Sequence, residues 1–271
     1  MKKLQTILLL LLLFCVCIQG NACITEAKTK TTTETKTATE ADASDDEDSA
    51  LSKRSKLIVM IDPGHQEKGN RSREKIGPGA RTTKAKVSYG TRGVSTHLAE
   101  YKLNLTVSKK LKEILEERGY TVLMTRESNK VNISNKQRAM MANKAKADIF
   151  VRIHANGSVS RSKHGILTIC MTKKSPYNKK LYKDSYALSR SILNATVKTT
   201  KAKKLTVMQS NTYTGINWSK VPVTIVEMGY MSNAAEDRKL SKKSYQKKIA
   251  TGIANGIDNY FKKKHPECFE E

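Results

Sequence analysis

From Leu57 onward the apolar residues fall in runs of about six or fewer, and these alternate with segments whose apolar positions recur at intervals of three and four. Runs that short suit buried strands and are too short to span a bilayer, which excludes a multispan membrane protein. Leu57 to Ile61 ends at Asp62-Pro63-Gly64 and predicts a strand closed by a turn. Leu103, Val107, Leu111, Ile114 and Leu115 predict an amphipathic helix that opens near Glu100 and stops at Gly119. Tyr120 to Met124 is the next predicted strand. A helix capped by Asn132 or Ser134 then reaches Ala147, and Ile149 to Ile153 follows as a third strand. Further strands are predicted over Gly165–Met171, Leu205–Val207 and Val221–Val226, with helices over Leu181–Val197 and Ile249–Phe261. Strands alternating with helices of this size imply an α/β fold with a mixed, largely parallel central sheet flanked by helices, in one domain.

The N-terminus reads differently. Lys2 and Lys3 precede an apolar run from Ile7 to Ile18, followed by small residues up to Ala22, which predicts a secretory signal peptide over residues 1–22. An uncleaved membrane anchor and a lipidated Cys23 are the alternatives. Residues 23–52 are rich in Thr and acidic side chains and nearly free of apolar ones, so a disordered linker is expected. The folded part is then 53–264, with a tail over 265–271. Residues 24–52 carry 8 acidic and 3 basic side chains, against 17 and 45 from Lys53 onward, so the positive charge belongs to the folded domain. Such a domain is drawn to polyanions. In an exported chain without nucleic-acid-binding motifs, the expected partners are anionic cell-envelope polymers rather than nucleic acid. Apart from a retained N-terminal anchor no membrane partner is expected, and a monomer is. There is no Cys-x-x-Cys pair; Cys170 and Cys268 are read as free thiols.

Three predicted strands each end on a titratable residue: His65 after the first, His154 after Ile153, and Glu227 after Val226, while Glu100 opens the first helix. Charge at the end of a buried strand is costly unless it is paired or binds something, so the recurrence points to one shared site beyond the carboxyl ends of the strands. Two histidines and a carboxylate make the ligand set of a catalytic zinc. The intervals, 35 residues from His65 to Glu100 and 54 on to His154, are not the local His-Glu-x-x-His pattern, so spacing alone does not establish the site.

The segments IDPGHQEKGN (61–70), LAEYKLNLTVSKKLKEILEERGY (98–120), MTRES (124–128), FVRIHANGS (150–158) and VPVTIVEMGYMSNAAED (221–237) resemble the family 3 catalytic domain of zinc-dependent N-acetylmuramoyl-L-alanine amidases, which are peptidoglycan hydrolases. The resemblance runs from about Leu57 to Phe261. It implies that His65, Glu100 and His154 hold zinc, that Glu227 is the catalytic carboxylate, and that the substrate is the amide between N-acetylmuramic acid and L-alanine in peptidoglycan, in a secreted or envelope-bound enzyme. A bound zinc acidifies water and polarises a carbonyl, while a second carboxylate moves the proton.

Other readings follow from single residues. Asp62 is expected either to orient a ligand imidazole or to close the turn after its strand. Asn156 and Asn233 are candidates for substrate binding or for turns, and Trp218 for packing or sugar stacking. Arg126 and Arg138 are expected to bond carbonyls or carboxylates, and His97, His164 and His265 to stand outside the site. Gln66 and Glu67 replace the glycines that many relatives carry after the first histidine. The stretch from Asn70 to Thr96 reads as a long loop facing substrate or solvent. Two rival functions share the pattern: an inactive envelope-binding module on the same fold, and a zinc peptidase cutting another peptidoglycan bond.

Overall fold

A computed structural model describes residues 50–270; the signal-peptide reading and nearly all of the linker reading lie outside the described residues. Residues 50–54 form a helical turn with Ala50 buried, just ahead of the expected domain start. The strands are β1 (Ile58–Pro63), β2 (Asn70–Lys75), β3 (Thr83–Val87), β4 (Thr121–Met124), β5 (Ile149–Asn156), β6 (Ile166–Cys170), β7 (Lys204–Gln209) and β8 (Val223–Tyr230). The helices are α1 (Glu100–Glu117), α2 (Asn135–Lys144), α3 (Tyr182–Thr200), α4 (Thr214–Asn217), α5 (Ala234–Leu240) and α6 (Lys243–Lys264).

Six strands make one sheet in the order β4-β1-β5-β8-β6-β7, parallel throughout except where β6 runs against β8. This is the mixed, mostly parallel, helix-flanked sheet expected from the sequence. Alternation along each strand sorts side chains onto two faces. Val59, Ile61, Val151, Ile153 and Val226 pack with α1, α3 and α6, whereas Met60, Phe150 and Ile225 pack on the face covered by α2 and α4. Each large side chain buried this way contributes about 1.5–3 kcal/mol. Arg152, His154 and Glu227 continue the second face beyond the apolar rows.

Local signals set the helix limits. Gly119 takes φ 87° after the α1 cap, a left-handed conformation that costs glycine little. Ser134 and Gln137 form a reciprocal capping box at the start of α2. The expected long loop after Asn70 is instead half ribbon: β2 and β3 pair antiparallel, apart from the main sheet. Their residues are mostly charged on both sides, so no apolar alternation announced them. The ribbon is tied to the domain through Asn135 Nδ2 to the Lys86 carbonyl and Trp218 Nε1 to the Lys75 carbonyl, so Trp218 packs rather than presenting itself to a sugar. The expected tail also differs, because Cys268 is buried in the core against α6. Cys170 and Cys268 are both free.

Candidate active site

Backbone of unusual shape delivers the first histidine. After β1 the chain turns through Gly64, and His65 adopts φ 60°, a conformation that a non-glycine residue holds only when its surroundings enforce it. The enforcement comes from buried arginines. Arg138 donates to the carbonyls of Pro63 and His65, and Arg126 to those of Pro63, Gly64 and Tyr101. Both arginines therefore do what the sequence suggested, bonding carbonyls.

His65 Nδ1 lies 2.9 Å from the Ser88 carbonyl, which fixes the proton on Nδ1 and leaves Nε2 bare. Nε2 is 3.2 Å from Glu100 Oε1. His154, on β5, brings its Nδ1 to 3.2 Å from that same oxygen, while its Nε2 is buried without a hydrogen-bond partner. Glu100 is held by the Thr91 amide on one oxygen and by Asn104 Nδ2 and the Ala155 amide on the other. One ligand atom from each of the three residues lies within 4.8 Å of the others. A bare imidazole nitrogen facing an anionic oxygen is repulsive unless a cation sits between them. This donor set therefore fits a metal ion, and two imidazoles with one carboxylate suit zinc.

Protonation states agree with that fit. Burial above all brings His154 down to about 4, against the upward pull of Glu100, so its imidazole is neutral at physiological pH. Burial would raise Glu100, but the close approach of His154 and His65 holds it below the ordinary carboxylate range.

Glu227 stands opposite His154 in the β5–β8 ladder, and its Oε2 is buried with no partner. Burial first, then the negative charge of Glu100, pushes its carboxyl up to about 8, against a weaker pull from Arg152. This carboxyl is poised to exchange a proton near neutrality. A stability effect follows. Between the ordinary value of 4.5 and the raised value of about 8, the folded protein holds a proton that the unfolded chain has lost, so stability falls as pH rises through that window. Glutamine has no such proton to lose. The metal-free Glu227→Gln protein is expected to melt at the parent's temperature near pH 4.5 and several degrees above it at pH 8. A difference that stays flat with pH, read by circular dichroism, would contradict the burial argument.

These groups line a cavity of about 490 Å³, to which the ribbon adds Arg73 and Lys84, and β5 adds Asn156. Asn156 Oδ1 accepts from the Gly157 amide at the rim. Two expectations need correction. Asp62 orients no imidazole: Arg138 and Arg152 bind its two oxygens at 2.7 and 2.8 Å, and Thr125 donates to it as well. The position beside His65 is taken by the Ser88 carbonyl. Asn233 does not line this cavity; it caps α5, accepting from the amides of Ala235 and Glu236 and donating to the Arg161 carbonyl. Among the remaining histidines, none joins the three-residue cluster within the described residues. Sequence reasoning missed Arg152, although an arginine inside the apolar run of β5 is itself a signal of a buried ion pair.

A cluster that can take a cation, beside a carboxyl group ready to move a proton, is the chemistry of a hydrolase. The family described as N-acetylmuramoyl-L-alanine amidase matches residues 59–259, and the chain belongs to it. It is thus an enzyme acting on the muramoyl–alanine amide of cell-wall peptidoglycan. Among curated proteins, the Bacillus subtilis protein YqiI is 30% identical over 62% of this chain and 77% of its own length. The germination-specific N-acetylmuramoyl-L-alanine amidase of the same organism is 26% identical over 76% of this chain and 81% of its own. Among solved structures, the N-acetylmuramoyl-L-alanine amidase of Clostridium difficile 630 superposes with a TM-score of 0.63 at 26% identity, covering 77% of this chain and 98% of its own.

Proposed function

We propose that the protein is an exported, zinc-dependent N-acetylmuramoyl-L-alanine amidase in which His65, Glu100 and His154 hold the metal and Glu227 moves the proton. The observation that carries this reading is the approach of two imidazole nitrogens to one oxygen of Glu100, each at 3.2 Å, with the partnerless Glu227 carboxyl across the ladder from His154. Zinc held there supplies Lewis acidity toward the scissile carbonyl and acidifies water. Glu227 accepts the proton of the attacking water on a carboxylate oxygen. It then hands that proton to the L-alanine nitrogen as the lactyl carbon–nitrogen bond breaks, so the products are a muramic carboxylate and a free L-alanine amine. A cation held by His65, Glu100 and His154 would lower the Glu227 carboxyl from about 8 toward the ionised form that acts as base at neutral pH. That Asn156 lines the same cavity supports a part for it in bonding substrate.

Export is supported by the charged and apolar N-terminal pattern, and a cell-envelope location by the substrate bond. The basic domain supports attraction to anionic envelope polymers. The test is digestion of purified peptidoglycan with and without a zinc chelator, read by mass spectrometry. Zinc-dependent release of stem peptides with free L-alanine amines is expected; cuts between stem residues would overturn the bond assignment. His65→Ala is expected to lose bound zinc, measured by elemental analysis of the purified variant, together with activity. Stoichiometric zinc in that variant would remove His65 from the ligand set.

A further inference from the structure

Part of the positive charge gathers in hollows along α3 and α6. A cavity of about 570 Å³ between α3 and α6 is lined by Arg190, Lys262, Lys263 and Lys264. It shares Asn259 and Lys262 with a second, of about 450 Å³, that adds Lys198 and Lys201. Lys201 in turn belongs to a third, of about 720 Å³, with Lys203, Lys239, Lys242 and Lys248. The three hollows therefore run on from one another beside α6, whose 22 residues span roughly 33 Å at about 1.5 Å per residue.

The carboxylates along this run are already engaged. Asp258 binds Arg118 and Tyr120, and Glu236 accepts from the amides of Gly165 and Tyr230. Of the cations, Lys264 alone is in an ion pair among the described residues, with Asp184. Nine lysines and one arginine thus line a concave path with almost no local neutralisation.

We propose that this path binds a linear phosphodiester polymer of the cell envelope. The inference rests on the surface-charge reading above and gives it one place and one ligand class. Lysines dominate the path, and their compact, mobile ammonium groups suit single charges repeated along a flexible chain better than forked recognition of one fixed group. The path is furrowed rather than flat, and the exposed large apolar side chains, Tyr89, Leu123, Met140 and Val159, line none of its hollows, so it lacks the apolar anchors of a lipid-binding surface. Both helices cover the sheet face opposite the one that carries His154 and Glu227. Polymer bound there leaves the catalytic cavity open, and holds the enzyme on the wall while it cuts.

The test measures binding of the purified full-length protein to poly(glycerol phosphate) by calorimetry from 0.05 to 0.3 M salt. The triple variant Lys198→Gln, Lys248→Gln, Lys262→Gln is compared with a control, Lys109→Gln, Lys130→Gln, Lys173→Gln, whose exposed lysines lie off the path. The path variant should bind at least about 10-fold more weakly with a shallower salt dependence, and the control should stay within about 2-fold of the parent. Equal losses in both triples would leave general charge attraction standing and remove the path. No loss in either would remove both. Tighter binding to phosphatidylglycerol vesicles at matched phosphate would also overturn it, making the occupant a lipid surface. Saturating polymer should leave hydrolysis of a small soluble muropeptide unchanged; competitive inhibition would put the polymer in the catalytic cavity instead.

Discussion

Glu227→Gln is expected to lower turnover on peptidoglycan by about a thousand-fold or more while the purified variant keeps its full complement of metal. The substitution preserves shape and removes the proton acceptor, and Glu227 is not among the three residues that converge as a metal cluster. The pairing of readouts matters. Lost activity with lost zinc would make Glu227 a ligand, whereas activity within about ten-fold of the parent would assign the proton transfer to another group. Because the same substitution removes a buried ionisable group, the variant should fold at least as well as the parent, so loss of turnover cannot be ascribed to unfolding.

The second large effect concerns stability. Asp62 is fully buried between Arg138 and Arg152, which are themselves buried, and the attraction of these two guanidinium groups keeps its carboxyl far below the usual range despite the cost of burial. Asp62→Asn keeps the volume and removes the charge, leaving two cations without a counter-ion. A loss of about 3–5 kcal/mol is expected, or roughly 10 °C in melting temperature for a domain of this size. The depressed pKa means that the parent's share of this stability is present at neutral pH and is lost only in strong acid, as Asp62 protonates. A melting temperature within about 2 °C of the parent at pH 7 would show that the arginines find other partners. Since Arg138 also holds the His65 carbonyl, reduced metal retention should accompany the instability.

The main sheet was readable because its strands are short apolar runs between helical periodicities, as in Leu57–Ile61 and Val223–Val226. The antiparallel course of β6 was not, since a run buried on both faces carries no mark of direction. Nor was the β2–β3 ribbon, whose charged residues leave no alternation to read. Within the site, strand ends announced His65, His154 and Glu227, but the tie between Asp62 and two arginines from α2 and β5 depends on contacts across 76 and 90 residues. Asn233 misled because a residue that caps a helix and one that binds a ligand look the same as a letter in a motif.

Two positions with no side chain govern how much variation the site can accept. A methyl group on Gly64 would fall 2.2 Å from the His154 ring, and one on Gly90, where φ is 80°, would fall 2.6 Å from Glu100 Oε2 and 2.9 Å from the His65 ring. Neither glycine has chemistry of its own to perform. In a saturation library selected for wall hydrolysis, the alphabet permitted at positions 64 and 90 should nonetheless shrink to one letter, as narrow as at the histidines themselves. The map of intolerant positions would then trace the space around His65, Glu100 and His154 rather than only the residues with chemistry to perform.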